Sequence, residues 1–173
     1  MILSRAGKEV LIKSVAQALP TYSMSIYCLP ISYSERIERV MNKFWWESSG
    51  NGNGGIRWMA WNKMCDPEVH GGMGFKCLQK FNVALLAKQG WRLLTNPMSL
   101  AAQLYKARYY SHGEFLDAKI SANPSLYWRS ILVGQDVLQQ GCYKRIGNGH
   151  STKVWNQPWL PNIVDPCAVS YAQ

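Results

Sequence analysis

The segment 78–94 constrains the fold more than any other part of the chain, because apolar side chains cover more than one side of the helix that it predicts. Phe81 and Leu85 are four residues apart, which is typical of one face of an α-helix, and Trp91 and Leu94 repeat a spacing of three. Leu86 and Leu93 add apolar surface on a second side. Such a helix must be covered by other elements, so we expect it at the centre of the molecule.

Helical periodicity continues before this segment, and prolines mark where it breaks. Ser4 is placed to cap a helix that starts near residue 5, and Leu11, Val15 and Leu19 fall on one of its faces. Pro20 should end this helix and open another, because proline lacks the N–H that a helix interior needs. The first part of the chain therefore predicts consecutive short helices.

Two further helices are predicted from their start signals. Ser32 and Glu35 form a capping-box pattern, in which the serine hydroxyl and the glutamate satisfy backbone N–H groups at a helix start. The basic residues of that helix lie opposite its apolar face. Near the other end of the chain, Pro124 precedes a single predicted helix that ends at Gly141.

Glycine-rich stretches divide these helices. The run of serine, asparagine and glycine at 48–55 predicts a flexible loop. Gly71, Gly72 and Gly74 indicate unusual backbone angles or a close approach between chain segments. Further along, the Asn148-Gly149 turn would join residues 142–146 and 151–155 as a β-hairpin.

The fold class that follows is mainly α, a helical bundle with further helices and a small C-terminal β-hairpin. We expect a helical segment over 1–47, a flexible loop over 48–55, a helical connection region over 56–141, a hairpin with a Trp/Pro segment over 142–161, and a tail over 162–173. A chain of 173 residues with 47% apolar residues is large enough to form a core.

The charge is positive and unevenly distributed. The chain has 19 basic and 10 acidic residues, a net charge of +9. Residues 1–110 carry 14 of the basic and 6 of the acidic side chains, which leaves +8 there. This excess suggests a polyanionic partner, with nucleic acid as the leading candidate. The alternative is a basic surface that is simply solvated.

Patterns for catalysis and cofactor binding are absent from the sequence. The glycine run at 50–55 lacks the Gly-Lys-Ser/Thr of a phosphate loop, and Cys65, His70 and Cys77 lack the Cys-x2-Cys spacing of structural zinc sites. The ten acidic residues are scattered, whereas a two-metal polymerase or nuclease needs clustered carboxylates. We therefore expect no catalytic residues, no metal ligands and no cofactor.

Five cysteines without a signal peptide indicate reduced thiols inside the cell. The uncharged stretch 14–34 contains two prolines and many hydroxyl side chains, so it does not predict a membrane span. We expect an intracellular protein of the nucleus or cytoplasm that is not secreted and has no membrane partner.

Basic residues interleaved with aromatic ones are the remaining candidates for function. Arg5, Lys8 and Lys13 lie on the first predicted helix, and Arg57 adjoins a tryptophan after the glycine run. On the central helix, Lys88 and Arg92 share a face because they are four residues apart. Cations contact phosphates and aromatic rings stack on sugars or bases. For the tryptophans themselves, burial in the core is the favoured interpretation.

Several motifs, in order along nearly the whole chain, resemble one protein family. They are Leu3-Ser-Arg-Ala-Gly-Lys8, Leu11-Ile-Lys-Ser-Val15, Leu19-Pro-Thr-Tyr-Ser-Met-Ser25, Phe44-Trp-Trp46, Trp58-Met-Ala-Trp61, Gly71-Gly-Met-Gly-Phe75, Phe81-Asn-Val-Ala-Leu-Leu-Ala-Lys-Gln89, Trp91-Arg-Leu-Leu94, Trp128-Arg-Ser-Ile131, Arg145-Ile-Gly-Asn-Gly149 and Trp155-Asn-Gln-Pro-Trp-Leu-Pro161. Together they resemble the region after the polymerase palm in reverse transcriptases of plant non-LTR (LINE-type) retrotransposons.

The resemblance implies a thumb and connection region without the catalytic palm. In that family the Tyr-x-Asp-Asp box lies upstream, and a zinc-binding module and any RNase H domain lie downstream. The thumb-like part here is 1–47, whose matching positions are Ser4, Ala6, Gly7, Lys8 and Lys13. By this resemblance, Gly7 allows a close backbone approach, and Lys8 and Lys13 neutralise phosphates of the template–primer duplex.

Two hypotheses about function follow. The first is a non-catalytic fragment of a transposable-element polyprotein, whose parent is an RNA-directed DNA polymerase. It would bind RNA or an RNA–DNA duplex without sequence preference through Arg5, Gly7, Lys8, Lys13, Arg57, Lys88 and Arg92. Its second partner would be the palm of the same polyprotein. The alternative is a relic or scaffold fragment with no independent activity, whose apolar helices would leave an exposed patch.

Overall fold

The computed structural model describes residues 3–47, 56–143 and 145–150. The fold is mainly helical, as the sequence predicts. The α-helices of these residues are α1 Arg5–Leu11, α2 Thr21–Ile26, α3 Ile31–Trp46, α4 Trp61–Met64, α5 Leu78–Thr95, α6 Leu100–Tyr109, α7 Leu126–Val133 and α8 Gln135–Gly141. A π-helical turn at Ile12–Ala16 extends α1, and 3-10 turns lie at Glu68–His70 and Phe115–Asp117.

The C-terminal β-hairpin that the sequence predicts is not supported. Residues 142, 143, 145 and 146 were expected to form its first strand, and none of them has strand conformation. The expected second strand at 151–155, the Trp/Pro segment and the tail at 162–173 lie outside the described residues. The turn signal is present, since Gly149 has a φ of 79°. A turn signal alone is insufficient, because an isolated two-stranded hairpin is marginal in water.

Helix α5 is central, as its apolar sequence predicts. It packs against α2, α3, α6, α7 and α8. Its first half contributes Leu78 to a first cluster of buried residues: Ile12, Met24, Met41, Trp45, Trp61, Met64, Phe75 and Leu78. Its second half contributes to a second cluster: Ala87, Leu93, Ala102, Phe115, Ala118, Trp128, Ile131, Leu132 and Leu138. One helix therefore joins both halves of the core.

A buried asparagine fastens α5 to the segment between α2 and α3. Asn82 Nδ2 donates to the carbonyl oxygens of Met24 at 2.6 Å and Tyr27 at 2.9 Å, and its Oδ1 accepts from Leu29 N at 2.8 Å. These bonds satisfy backbone groups that the end of α2 leaves unpaired. The polar side chain is thus fully used inside an apolar interface.

The start of α3 differs from the sequence prediction. The helix begins at Ile31 after Pro30, and no side chain caps it, so the predicted Ser32 capping box does not form. Proline serves at this position because a helix start needs no N–H from it. The helix instead supplies a cap elsewhere, since Glu38 Oε1 accepts from Leu78 N at 2.7 Å at the start of α5.

The single helix predicted up to Gly141 is in fact two helices, α7 and α8, which break at Gly134. Gly134 is where this part of the chain crosses α5. A Cβ atom at this position would lie 2.3 Å from Ala87 N and 2.6 Å from Ala87 Cα. The break therefore reflects direct contact between two backbones, which only glycine permits.

The glycines at 71–74 have the unusual geometry that the sequence predicts. Gly71 and Gly74 have positive φ angles of 79° and 64°. Gly72 lies against the backbone of Asp66, where a Cβ atom would come within 1.9 Å of the carbonyl oxygen. This loop returns the chain onto the first cluster, since Phe75 N donates to Met64 O at 3.2 Å.

The apolar face predicted on the first helix points outward. Leu11, Val15 and Leu19 are exposed, whereas Ile12 is completely buried. A π-helical turn starts at Ile12, where Gln17 N donates to Ile12 O, five residues back rather than four. The turn changes the helical spacing between buried Ile12 and the exposed residues that follow. None of the helices described is both long and apolar enough to cross a membrane.

Candidate nucleic-acid interface

The outward face of α5 carries a row of exposed residues at every fourth position. Lys80, Ala84, Lys88 and Arg92 are all exposed, and we call them the α5 stripe. At 1.5 Å per residue, the stripe is about 18 Å long. The sequence-predicted candidates Lys88 and Arg92 therefore share this surface, and Lys80 extends it by two turns. Trp91 lies beside the stripe with 46% of its surface exposed.

The charges of the α5 stripe are not paired with acidic side chains in the described part of the chain. There, the ion pairs are formed by Lys13, with Glu9 and Glu68. Arg92 Nη1 donates to the neutral amide oxygen of Gln89 at 3.2 Å. The stripe therefore keeps its positive charge available to an outside anion.

A second basic face lies on α3. Arg36, Arg39 and Lys43 are exposed, and their spacing of three and four residues places them on one side of the helix. They are not among the site residues predicted from the sequence. The signal that could have found them is this spacing opposite an apolar face, which is also typical of an ordinary solvated helix.

Lys8 is engaged within the fold. Its Nζ donates to the carbonyl oxygens of Trp45, at 3.5 Å, and Glu47, and it lies 5.5 Å from the centre of the Phe44 ring. These carbonyls belong to the C-terminal end of α3, where a cation is favourable to the helix dipole. Lys8 thus fastens α1 to the end of α3.

Lys13 is also engaged. Its Nζ lies 2.7 Å from Glu9 Oε1 and 3.8 Å from Glu68 Oε1, and 5.8 Å from the centre of the Phe75 ring. Two carboxylates close to one ammonium offset part of its positive charge. The structure therefore gives Lys13 a role in holding the 68–75 loop against the π-helical turn.

The other two candidates on α1 lie at its start. Arg5 is exposed in the first turn. Gly7 N donates to Ser4 Oγ at 3.2 Å, so Ser4 caps the helix as predicted. A Cβ atom on Gly7 would meet Leu3 Cδ2 at 3.3 Å, from its own N-terminal segment. Neither residue adjoins the α5 stripe in sequence or through a shared contact.

Arg57 lies on a third surface, the irregular segment before α4. It is exposed, and the neighbouring Trp58 is 75% exposed. Met59 ties this segment to α3, because its carbonyl oxygen accepts from Asn42 Nδ2 at 3.4 Å. The sequence-predicted candidates are therefore distributed over α1, the Arg57 segment and α5 rather than gathered in one groove.

The tryptophans divide between core and surface. Trp45, Trp61 and Trp128 are buried, which agrees with the interpretation favoured from the sequence. Trp58 and Trp91 are exposed instead. Each exposed tryptophan is next to a candidate arginine in the sequence, and bases stack on exposed aromatic rings of this kind.

A cleft of about 600 Å³ lies where α5 ends and α6 begins. Arg92 at the end of the α5 stripe lies on its wall, and Tyr105 and Tyr127 supply aromatic surface. The remaining lining is mostly polar or small: Gln89, Leu93, Thr95, Asn96, Pro97, Met98, Ser99 and Ala101. Sequence reasoning missed this cleft, because Tyr105 and Tyr127 lie on different helices.

Titratable groups give no sign of a catalytic centre in the described regions. Residues 3–47, 56–143 and 145–150 contain no cluster of three His, Cys, Asp or Glu residues that could hold a metal ion. Among the cysteines of these residues, Cys65 has a large shift: its pKa is raised to about 12, mainly because burial disfavours the thiolate. A raised pKa makes a cysteine less nucleophilic.

Two Arabidopsis thaliana proteins are similar to this chain. It is 40% identical over 144 residues to "Uncharacterized mitochondrial protein AtMg00310", covering 83% of this chain and 93% of that protein. It is 33% identical over 162 residues to "Putative ribonuclease H protein At1g65750", covering 91% of this chain but only 26% of that protein. No protein-family model and no solved structure matches the chain.

Proposed function

Because the chain belongs to the same family as the Arabidopsis mitochondrial protein AtMg00310, and also matches about a quarter of a longer ribonuclease H relative, we propose that it is a nucleic-acid-binding part of a plant retroelement polyprotein. In this proposal it corresponds to the thumb and connection region of a LINE-type reverse transcriptase. It binds RNA or an RNA–DNA duplex without sequence preference and performs no chemistry itself.

Two kinds of observation support this proposal. The sequence motifs resemble the region that follows the polymerase palm. The longer relative is named as a ribonuclease H, an activity directed at RNA paired with DNA. The part that matches this chain is a minor share of that relative, so catalysis in such a polyprotein can reside elsewhere.

The α5 stripe carries the proposal. Lys80, Lys88 and Arg92 are exposed cations on α5, the helix that packs against α2, α3, α6, α7 and α8. Each step of four residues turns about 40° around the helix, so the row winds by about 120° from Lys80 to Arg92. Nucleic-acid backbones are recognised without sequence preference when basic side chains displace condensed counterions from phosphates. A single helix holds these cations at fixed spacings from one another, and the exposed basic residues of α3 add a second source of positive charge.

A salt titration of binding tests the proposal. The probe is a fluorescently labelled RNA–DNA duplex, followed by anisotropy from about 50 to about 200 mM salt. For about six phosphate contacts, the logarithm of the association constant should fall against the logarithm of salt with a slope near −5. Replacing Lys80, Lys88 and Arg92 together by glutamine should reduce that slope to about −2 or −3, because three contacts are lost.

A matched control distinguishes binding at the α5 stripe from binding that depends only on the net positive charge of the protein. Lys63, Lys119 and Arg129 are exposed, lie off α5, and lose the same charge when replaced together by glutamine. They should leave the slope near that of the wild type. Equal losses in both triple variants would reject the α5 stripe as the interface, and absence of duplex binding at low salt would reject the function.

A second candidate function is a scaffold fragment without independent activity. The outward apolar residues Leu11, Val15 and Leu19 favour it, because such a face is stabilised by contact with another polypeptide. In this alternative the face packs on the palm of the same polyprotein. Purified protein that is monomeric by size-exclusion chromatography and melts cooperatively would count against it.

A further inference from the structure

The α5–α6 cleft has the size and lining of a small-ligand site. Its volume of about 600 Å³ falls within the range of pockets that hold drug-sized ligands, about 300–1,000 Å³. Its lining combines aromatic, amide and hydroxyl groups with a single cation, Arg92. Among the described residues no acidic side chain lines it, so it favours a neutral or anionic ligand.

Two tyrosine rings form the aromatic wall. The rings of Tyr105 and Tyr127 lie 5.6 Å apart between centroids and are tilted by 40°. Tyr105 is stacked at 5.7 Å on Trp128, which is completely buried, and at 5.9 Å on Tyr109. Because these rings pack against it, Tyr105 is held in place where it lines the cleft. A fixed aromatic face is the platform on which an unpaired base stacks.

Arg92 connects this wall with the α5 stripe. It is the last cation of the stripe and also lines the cleft. Arg92 and Tyr127 both line the cleft. Burial raises the pKa of Tyr127, and the positive charge of Arg92 acts in the opposite direction. Phosphates that follow the stripe from Lys80 to Arg92 would thus reach the mouth of the cleft.

Polar side chains of the lining can read the edge of a base. Gln89 and Asn96 carry amides, and Ser99 caps α6 by accepting from Ala102 N at 3.2 Å. Base edges are recognised by donors and acceptors of this kind. A base in a duplex is already stacked between its neighbours and cannot enter a cleft, so only an unpaired base fits.

We propose that the α5–α6 cleft binds an unpaired base of single-stranded nucleic acid, with Tyr105 and Tyr127 against the base and Arg92 on its phosphate. The inference rests on the proposed nucleic-acid binding and adds a distinct ligand form to it. The α5 stripe serves duplex and single strand alike, whereas the cleft serves the single strand alone.

The test compares one single strand with one duplex on the same variants. The probes are a labelled oligouridylate of about ten nucleotides, within the usual site sizes of single-strand binders, and an RNA–DNA duplex of similar length. Replacing Tyr127 by leucine should weaken oligouridylate binding about 5-fold to 100-fold, which corresponds to the loss of one stacked base. Duplex affinity should stay within about twofold of the wild type, since charge dominates it.

A second variant avoids any effect on folding. Met98 lines the cleft and is 82% exposed, so Met98→Glu places a negative charge at the rim without disturbing the core. It should repel a phosphate and weaken oligouridylate binding to a similar extent. Tyr33→Leu is the matched control, because Tyr33 is an exposed tyrosine on α3, far from the cleft in sequence.

Photocrosslinking locates the bound base directly. An oligonucleotide with 4-thiouridine should crosslink to the tryptic peptides 93–106 or 120–129, which contain Tyr105 and Tyr127. Unchanged oligouridylate binding in both cleft variants, or crosslinks confined to other peptides, would overturn the inference while leaving duplex binding intact. Loss of all nucleic-acid binding by the wild type would instead overturn the proposed function.

Discussion

Burial determines the chemistry of the cysteine thiols. Cys65 is half-buried beside Cys77, and burial raises its pKa from 9.0 to about 12, with the charges of Cys77, Glu38 and Asp66 adding to the effect. Lys80 acts in the opposite direction. Cys28, in contrast, is exposed. The two thiols should therefore differ widely in reactivity, since only the thiolate attacks electrophiles.

Brief alkylation at about pH 8 tests this difference. With a pKa of about 12, about one Cys65 in ten thousand is a thiolate, so iodoacetamide should modify Cys28 and spare Cys65. Adding urea should make both react. The pKa of Cys65 is higher in the folded protein than its ordinary value of 9.0. Its contribution to the free energy of unfolding is therefore fully present below pH 9.0 and is lost as the pH rises towards 12. Peptide mass spectrometry gives the measurement, and rapid labelling of native Cys65 would contradict the expectation.

Single cations show how far the sequence could specify the interface. Lys88 and Arg92 could be placed on one face, because residues four apart on a helix are neighbours on its surface. The pair of Lys13 with Glu9, four residues earlier, follows from the same spacing rule, but the contacts of Lys8 and the contact of Lys13 with Glu68 could not be foreseen. Their partners, the end of α3 and Glu68, are distant in sequence and become neighbours only after folding. Charges can be counted in a sequence, whereas their contacts with residues distant in sequence are known only from the folded structure.

At the scale of helices, the sequence predicts where elements lie better than where they break. The periodicity of 78–94 gives α5 almost to its ends, because its pattern is long and strongly apolar. The break at Gly134 could not be read locally, since a single glycine is compatible with a continuous helix. Its cause is the backbone of Ala87, which lies on another helix.

Gly134→Ala should be severely destabilising. Its Cβ atom would overlap Ala87 N at 2.3 Å, and backbone cannot move aside as a flexible side chain can. We expect a loss of about 3 kcal/mol in the free energy of unfolding, as for an overpacked core. Gly113→Ala is the control, because a Cβ atom there meets nothing within 4 Å, and it should change stability by less than about 0.5 kcal/mol. Urea denaturation measures the free energy of unfolding of both variants. Equal values for the two variants would contradict the close backbone contact at Gly134.

For the molecule as a whole, α5 makes the two clusters one core. The first cluster receives Leu78 from α5 and the second receives Ala87 and Leu93. The central position of α5 could be predicted from composition and period alone. The division of the surrounding residues into two clusters could not, because it depends on which helices meet each half.

The two clusters should unfold together. If α5 couples the unfolding of the two clusters, the backbone amides of α3 and α7 should lose protection from hydrogen exchange at the same urea concentration. Pulse labelling with mass spectrometry resolves peptides of the two helices. Gly134→Ala, which acts on the second cluster, should shift both transitions to lower urea by the same amount. Loss of protection by α7 well before α3 would show that the clusters are independent.

The bond between Glu38 and Leu78 has a consequence for how relatives can diverge. It joins positions 40 residues apart and, with the first cluster, holds the parts before and after 48–55 together directly. The chain at 48–55 is then needed to keep the two parts connected, whereas the contacts themselves determine how the two parts pack. Insertions there should cost little, because doubling the length of a connecting segment costs only about 0.6 kcal/mol. Length variation in evolution should therefore accumulate at this junction.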